Sequence, residues 1–281
     1  MATSATTRGA ARRPLRQRAL GQSALGQRAA VARVEQAIRS AVRPPRSRYL
    51  AEFAAAFREF EVRVPLAEVV ARAASADVVL VGDYHSLAAC QKFTASLLGQ
   101  LGERDGRTNV LGLEAVYSAA QPVLDEWWAG GLDEDALRLR LRFARDWGYD
   151  WQPYAELLSV ARQKCERVWG IDSEPRFDLR RVRVRDRHMA GRILDMRRMH
   201  PEARAVVFVG ESHLAPGHLP GLLREAGERV FTILQNVDAL YWQVAGAVAH
   251  PSPVSVTEDV ACVFNASPLE KYESYQEYLE R

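Results

Sequence analysis

Two segments of the sequence repeat one pattern, in which an apolar run leads into Gly, an acid, a variable residue and His. The first reads VVLVGDYH and ends at His85, and the second reads VVFVGESH and ends at His213. An imidazole beside a carboxylate can move a proton or ligate a metal. The repeat therefore predicts one shared site with His85 and His213, in which Asp83 and Glu211 place carboxylates beside the two rings.

Other residues that could do chemistry follow further apolar runs. Glu114 follows NVLGL and precedes Tyr117, Asp172 follows RVWGI, and Tyr84 lies inside the first repeat. We expect Glu114 to join the two histidines and the two tyrosines to contact a ligand. The sequence has no GxGxxG after a strand, no P-loop motif, no HExxH and no GxSxG. It therefore lacks the motifs of dinucleotide sites, P-loops, thermolysin-like zinc sites and hydrolase elbows.

A further acid lies on an apolar helix face. Apolar residues recur at helical spacing between residues 179 and 199, and Asp186 falls on the same stripe, next to Arg185. A carboxylate on an inward face needs a partner. Two interpretations follow. Either Arg185 and Asp186 belong to the site and orient a histidine or a substrate oxyanion, or Asp186 forms a buried ion pair with an arginine.

The elements that must position these residues form an alternating series. Short apolar runs alternate with amphipathic stretches, which is typical of a mostly parallel sheet covered on both faces by helices. The predicted strands are residues 77–81, 109–113, 167–171, 205–209, 229–234 and 260–264, and the predicted helices are residues 29–42, 48–60, 86–101, 133–144, 153–165 and 179–199. Because the carboxyl ends of parallel strands meet at one edge of a sheet, the acids and histidines should gather there.

The fold class is therefore a three-layer α/β fold with a mostly parallel central sheet and an N-terminal helical extension. Residues 1–27 are small, polar and arginine-rich, and we expect a disordered tail there. Residues 28–75 should form a helical extension that packs on the body, and residues 76–281 the α/β domain.

The charge is distributed unevenly along the chain. The net charge is +3, but residues 1–48 hold eleven arginines and one acid, which leaves 27 bases and 34 acids in the rest. An acidic body repels phosphates, so we expect no nucleic-acid binding through it. The longest apolar runs are too short for a membrane span, arginines interrupt any secretory signal, and no cysteine precedes Cys90 as an anchor site. We therefore expect a cytoplasmic protein.

The central part of the sequence is rich in aromatic residues. Helices that cap the sheet would explain this cluster, and so would the wall of an apolar ligand pocket. The cluster comprises Trp127, Trp128, Trp147, Tyr149, Trp151 and Tyr154.

Taken together, these features resemble a known family over about residues 76–240. The two GxxH elements, the GLE and GID strand ends, WWAGGLDEDAL, DWGYDWQPYAELLSVAR, RDRHMA and GESHLA are similar to the ChaN-like haem-binding uptake proteins. That family shares a superfamily with the erythromycin esterases and the Tiki and TraB proteins. The resemblance implies a three-layer fold with a site of His85, Glu114 and His213. The family usually has Glu where this chain has Asp83, whose side chain reaches less far.

The resemblance implies two chemistries for this site. A ChaN-like protein would bind haem or a divalent metal, with Tyr84, Tyr117, His85 and His213 as candidate haem ligands and His85, Glu114 and His213 as the metal set. A cytosolic hydrolase of the erythromycin-esterase or Tiki type would instead use the same His and Glu residues on water, with or without a divalent metal. A binding module without catalysis is the third class. In each case we expect the partner to be a small-molecule ligand, and a homodimer is neither predicted nor excluded by the sequence.

Overall fold

The structure, a computed structural model, describes residues 33–34, 36–37, 48–174, 176, 182–244 and 251–281. The chain divides into two compact units, Met1–Arg43 and Pro44–Arg281. Only four residues of the first unit are described, so the predicted tail and most of the predicted helix at 29–42 lie outside the described residues. The sheet and the helices below belong to the second unit.

In the described residues, eight strands form one sheet in the order β1-β7-β8-β6-β2-β5-β3-β4. The strands are β1 (Val62–Arg63), β2 (Val78–Asp83), β3 (Asn109–Tyr117), β4 (Cys165–Asp172), β5 (Arg204–Gly210), β6 (Val230–Gln235), β7 (Val254–Thr257) and β8 (Val260–Val263). Strand β7 pairs antiparallel with both of its neighbours, and the other pairings are parallel. The sheet is therefore mixed and mostly parallel, as the sequence predicts.

Helices connect the strands. The described helices are α1 (Arg48–Ala56), α2 (Leu66–Ala74), α3 (Ala88–Asp105), α4 (Gln121–Trp128), α5 (Glu134–Arg140), α6 (Phe143–Asp146), α7 (Trp151–Lys164), α8 (Val182–Met199), α9 (Leu219–Glu225), α10 (Asp238–Val244) and α11 (Pro268–Leu279). None of these helices is long and apolar enough to cross a membrane.

Two apolar cores, one on each face of the sheet, give the fold its three layers. Val79 and Val81 of β2 belong to the core that contains Leu97 of α3, and Leu80 belongs to the core that contains Ile193 of α8. Successive residues of a strand point to opposite faces, so one buried strand supplies both cores. This arrangement confirms the predicted α/β fold class.

The boundaries of several elements differ from their predictions. All six predicted strands are present, whereas β1 and β7 were not predicted. The predicted helix at 133–144 is two helices, because Arg142 takes a positive φ of 51° between them. Residues of the predicted extension also contribute to the body, since β1 pairs with β7 and Val69 is fully buried in a core.

Candidate functional site

The site lies at the carboxyl edge of the sheet. Strands β2, β5, β3 and β4 are consecutive neighbours, so their last residues lie side by side. Asp83 of β2 pairs with Gly210 of β5, and Gly82 pairs with Val209. The two repeated motifs are therefore offset by one residue across the sheet.

His85 is held by a buried carboxylate. Its Nδ1 lies 2.9 Å from Oδ2 of Asp83. Asp83 also accepts hydrogen bonds from the Tyr154 hydroxyl at 2.7 Å and from Nε2 of Gln91 at 2.9 Å. Burial lowers the pKa of His85, but Asp83 offsets this, and the pKa lies above its ordinary value. Nε2 has no hydrogen bond within the described part of the chain, and the His85 side chain keeps 24% of its exposure.

Two cavities open beside His85. One has a volume of about 280 Å³ and the other about 240 Å³, and both are lined by His85, Ser86 and Tyr149. Aromatic rings surround the imidazole, with ring centroids 4.4 Å away for Trp147 and 5.1 Å away for Tyr149. Tyr84 also lines the larger cavity. Part of the predicted aromatic cluster is therefore a wall beside the histidine.

His213 occupies a different environment, because a 3₁₀ turn over Glu211–Leu214 follows its strand. The ring is buried, with Nδ1 2.5 Å from Oδ1 of Asp186 and Nε2 3.3 Å from Oε1 of Glu114. Burial lowers the pKa of His213, but Glu114 and Asp186 raise it to about 9. The imidazolium is thus the form that this environment favours.

Glu114 joins the two halves of the site. Its Oε1 accepts a hydrogen bond from Arg185 at 2.6 Å, and its Oε2 accepts one from the backbone N–H of Gly210 at 2.5 Å. Burial raises the pKa of Glu114, but His213, His85 and Arg185 lower it well below its ordinary value. A Cβ on Gly210 would lie 3.1 Å from both Oε2 of Glu114 and Cε1 of His85. The structure therefore brings His85, Glu114 and His213 together, with Gly210 between the first two.

Two buried arginines lie behind Glu114. Arg185 binds both carboxylate oxygens of Asp172 at 2.9 Å, and Arg176 binds Oδ2 of Asp172 at 2.8 Å. The guanidinium of Arg176 lies between two rings, 4.1 Å from the Tyr117 centroid and 4.5 Å from the Trp147 centroid. This network fixes the strand ends on one side of the site.

Several predicted contacts differ in the structure. The carboxylate that Glu211 was expected to place beside His213 pairs with Lys271 instead, at 3.1 Å. The 3₁₀ turn separates the two, and Asp186 takes that place. Of the two interpretations of Asp186, the geometry agrees with the one in which it orients a histidine, because its carboxylate binds His213 and His218.

Tyr117 does not reach the His85 cavities. It lines a separate cavity of about 460 Å³ beside Asp172 and Ser118, on the far side of Arg176. Its predicted role as a ligand contact at the shared site therefore has no support in the geometry.

Tyr154 was predicted only as part of the aromatic cluster, without its bond to Asp83. Sequence reasoning missed four residues at this edge: Gln91, Arg176, His218 and Lys271. Of these, only His218 carried a signal, its place five residues after His213. It is buried and joins Asp186 to Glu52, with Nδ1 2.9 Å from Oδ2 of Asp186 and Nε2 2.7 Å from Oε2 of Glu52.

The predicted metal set is not supported by the geometry. Among the residues that the structure describes, no group of three or more His, Cys, Asp or Glu side chains is placed to hold a metal ion. The carboxylate of Glu114 is already engaged by Arg185 and Gly210, and both ring nitrogens of His213 are engaged by acids.

Comparisons with known proteins agree with this fold. Residues 69–183 match the family described as haem-binding uptake, Tiki superfamily, ChaN. A structure of cofacial haem binding to ChaN of Campylobacter jejuni is 13% identical, has a TM-score of 0.50, and aligns over 62% of this chain and 87% of that one. The type III effector HopBA1 is 14% identical with a TM-score of 0.51, over 74% of this chain and 98% of that one.

A mutant erythromycin esterase, EreC, in its open conformation is 13% identical with a TM-score of 0.48, over 72% of this chain and 92% of that one. No curated protein matches the sequence. The resemblance predicted from the sequence is therefore confirmed: residues 69–183 of this chain are similar to the ChaN proteins of the Tiki superfamily.

Proposed function

We propose that this protein binds haem at the cavities beside His85, with Nε2 of His85 as the ligand to iron. One observation carries the proposal. His85 is oriented by a buried carboxylate through Nδ1, its Nε2 has no hydrogen bond among the described residues, and its side chain lines cavities with aromatic walls. The family to which residues 69–183 match is described as haem-binding, which gives the ligand.

The residues present fit this ligand. Histidine ligands to metals commonly donate their other ring N–H to a carboxylate, which fixes the tautomer and makes the ligating nitrogen more basic. Asp83 does this for His85, and Tyr154 and Gln91 hold Asp83 in turn. Apolar and aromatic walls suit a flat macrocycle. Haem, when bound, would supply an iron centre, and Nε2 of His85 would hold it.

The other predicted haem ligands fit less well. His213 is buried and engaged at both ring nitrogens, and Tyr117 lines a different cavity. Tyr84 lines the larger His85 cavity, but burial raises its pKa, which disfavours the phenolate that would ligate iron. His85 is thus the ligand that the geometry favours.

The proposal is tested by titrating the purified protein with haemin and recording the Soret band. We expect a shifted and intensified band for the wild type and its loss for His85→Ala. His200→Ala is the matched control, because His200 binds Glu166 beside the opposite end of the sheet and should leave the band unchanged. A wild-type spectrum equal to that of free haemin, or one unchanged in His85→Ala, would contradict the proposal.

A second function is supported by the same pair of residues, Asp83 and His85. A carboxylate that orients a histidine beside a cavity is also the arrangement of a general base. As a hydrolase, the protein would use neutral His85 to activate water. Since the pKa of His85 is raised, ester turnover should increase with pH through values above 6.5. Turnover of nitrophenyl esters that is lost in His85→Ala, without a haem spectrum, would favour this function over haem binding.

A further inference from the structure

The C-terminal helix α11 covers the site without being built into the core. Pro268, at its first position, is its one buried residue. Polar and stacking contacts along the rest of the helix join it to the site. Lys271 binds Glu211 at 3.1 Å and the backbone oxygen of Asn236 at 3.0 Å, Ser274 lies 3.3 Å from Ser86 between hydroxyl oxygens, and Tyr278 stacks on Tyr149 with centroids 4.4 Å apart.

The two ends of the helix are attached differently. At its start, the side chain of Asn236 accepts hydrogen bonds from the backbone N–H groups of Asn265 and Ala266, and Ser267 forms a capping box with Glu270. Toward its end the side chains are half-buried or exposed, and Leu279 keeps 59% of its exposure. A segment with few buried apolar contacts opens at lower free energy than the core. The helix is therefore fixed at its start and weakly held beyond Lys271.

The helix lies between the two cavities beside His85. Lys271 and Tyr275 line the cavity of about 280 Å³, and Ser274 and Tyr278 line the cavity of about 240 Å³. His85, Ser86 and Tyr149 contribute to both. Each cavity alone is smaller than the roughly 300–1,000 Å³ of sites that take drug-sized ligands. Removing the helix from its place would join them into one groove with His85 in the middle.

We propose that helix α11 is a movable cover of the ligand site, which swings about Pro268 and adds Lys271, Tyr275 and Tyr278 to the residues that select the ligand. This proposal rests on the proposed function for the nature of the ligand. The cover opens to admit a flat ligand larger than either cavity and then rests against the bound ligand. The opening breaks the polar contacts of Lys271, the Ser86 hydrogen bond, the Tyr149 stack and the ion pair of Arg281 with Asp150, and leaves both cores intact.

The test is a reversible disulfide that joins helix α11 to the site. Ser86→Cys combined with Ser274→Cys places two thiols where hydroxyl oxygens lie 3.3 Å apart, a spacing compatible with a disulfide. The protein is oxidised, or reduced with a phosphine, and the reagents are removed. Two rates are then measured on each form. The first is the rate of the Soret change with haemin, and the second, followed by mass spectrometry, is the rate at which diethyl pyrocarbonate modifies His85. Ser86→Cys alone, treated in the same way, is the control for the native cysteines.

We expect oxidation to slow both rates by about tenfold or more, and reduction to restore them. Lys271→Ala, which loosens the cover without any cross-link, should make His85 modification faster than in the wild type. Equal rates in the locked and reduced protein would overturn the cover while leaving haem binding standing. If the wild type binds no haem, the proposed function fails, and the modification rates alone still decide whether the helix covers His85.

Discussion

His85 and His213 show how one local motif can lead to two different environments. Both follow the same apolar run, glycine and acid, but the pairing of Asp83 with Gly210 offsets the motifs by one residue. As a result, His85 takes its carboxylate from its own motif, whereas His213 turns away and takes Asp186 from a helix. The first ring lines two cavities and has no hydrogen bond at Nε2 from the residues that the structure describes, and the second is part of a buried charge network.

Gly210 is the residue at which the two halves of the site touch. Its substitution by alanine would place a Cβ 3.1 Å from Glu114 Oε2 and from His85 Cε1, and both groups would have to move. We expect Gly210→Ala to destabilise the fold by about 1–3 kcal/mol, as overpacking does, and to weaken haem binding. Urea unfolding and the haemin titration measure the two effects.

Gly191 is the matched control for this substitution. It lies exposed in helix α8, and a Cβ there meets nothing within 4 Å. Gly191→Ala should leave haem binding unchanged and stabilise the fold by roughly 0.5–1 kcal/mol, because alanine suits a helix interior better. A Gly210→Ala variant that behaves like Gly191→Ala would show that Gly210 has room for a side chain.

The residues of the site were predictable where a strand end carried them. Asp83, His85, Glu114 and His213 each follow or end an apolar run, and the parallel sheet then brings them to one edge. Lys271 could not be predicted in the same way. Its contact with Glu211 depends on where the C-terminal helix packs, and the sequence around it has no pattern that marks such a contact.

Among the elements, helix α8 supplies the charged side of the site. Asp186 is buried and binds two histidines. Its removal leaves the buried, positively charged His213 ring with one carboxylate partner fewer. We expect Asp186→Ala to destabilise the fold by on the order of 3 kcal/mol, the cost of breaking a buried ion pair. Thermal and urea unfolding measure the loss.

Asp195 of the same helix provides the comparison. It pairs with Arg192 and Arg198 at the surface, where its side chain keeps 39% of its exposure. Asp195→Ala should change stability by less than about 0.5 kcal/mol. Equal effects at both positions would mean that the Asp186 network contributes no more than a surface ion pair.

Strands were predicted more completely than helices, for a physical reason. Five of the six predicted strands, β2, β3, β5, β6 and β8, are buried on both faces, so their apolar runs are continuous. Strand β1 has only two residues, both exposed, and its pairing with β7 depends on a partner far along the chain. Helix α11 buries only Pro268, so it lacks the apolar stripe by which a helix is recognised.

For the whole molecule, the buried charges make stability depend on pH. The pKa of His213 is raised to about 9 in the fold from an ordinary value of 6.5. Its contribution is therefore fully present below pH 6.5 and is lost as the pH rises through 9. Glu114 has a lowered pKa, so its contribution is present above its ordinary pKa and is lost as the pH falls through the lowered one.

We expect the free energy of unfolding to fall on the alkaline side by on the order of 3 kcal/mol between the two pKa values of His213. Urea unfolding across that range measures the slope. His213→Gln, which removes the titrating group, should flatten it. A wild-type slope equal to that of His213→Gln would mean that His213 is not charged in the fold.

Several properties of the whole molecule stay predictions from its sequence. The disordered tail at 1–27, the cytoplasmic location and the absence of nucleic-acid binding through the body are all of this kind. The absence of nucleic-acid binding was predicted from the uneven charge of the chain. That unevenness arises from residues 1–48, nearly all of which lie outside the described residues.

The two margins of the sheet have a consequence for how the protein behaves at high concentration. One margin is the two-residue strand β1, and the other is β4, which begins with Cys165, Glu166 and Arg167. Short or charged outer strands are poor templates for extension by another chain. In the described part of the molecule, the sheet therefore offers little for strand-by-strand growth into fibrils, and copies that associate would do so through helices or loops.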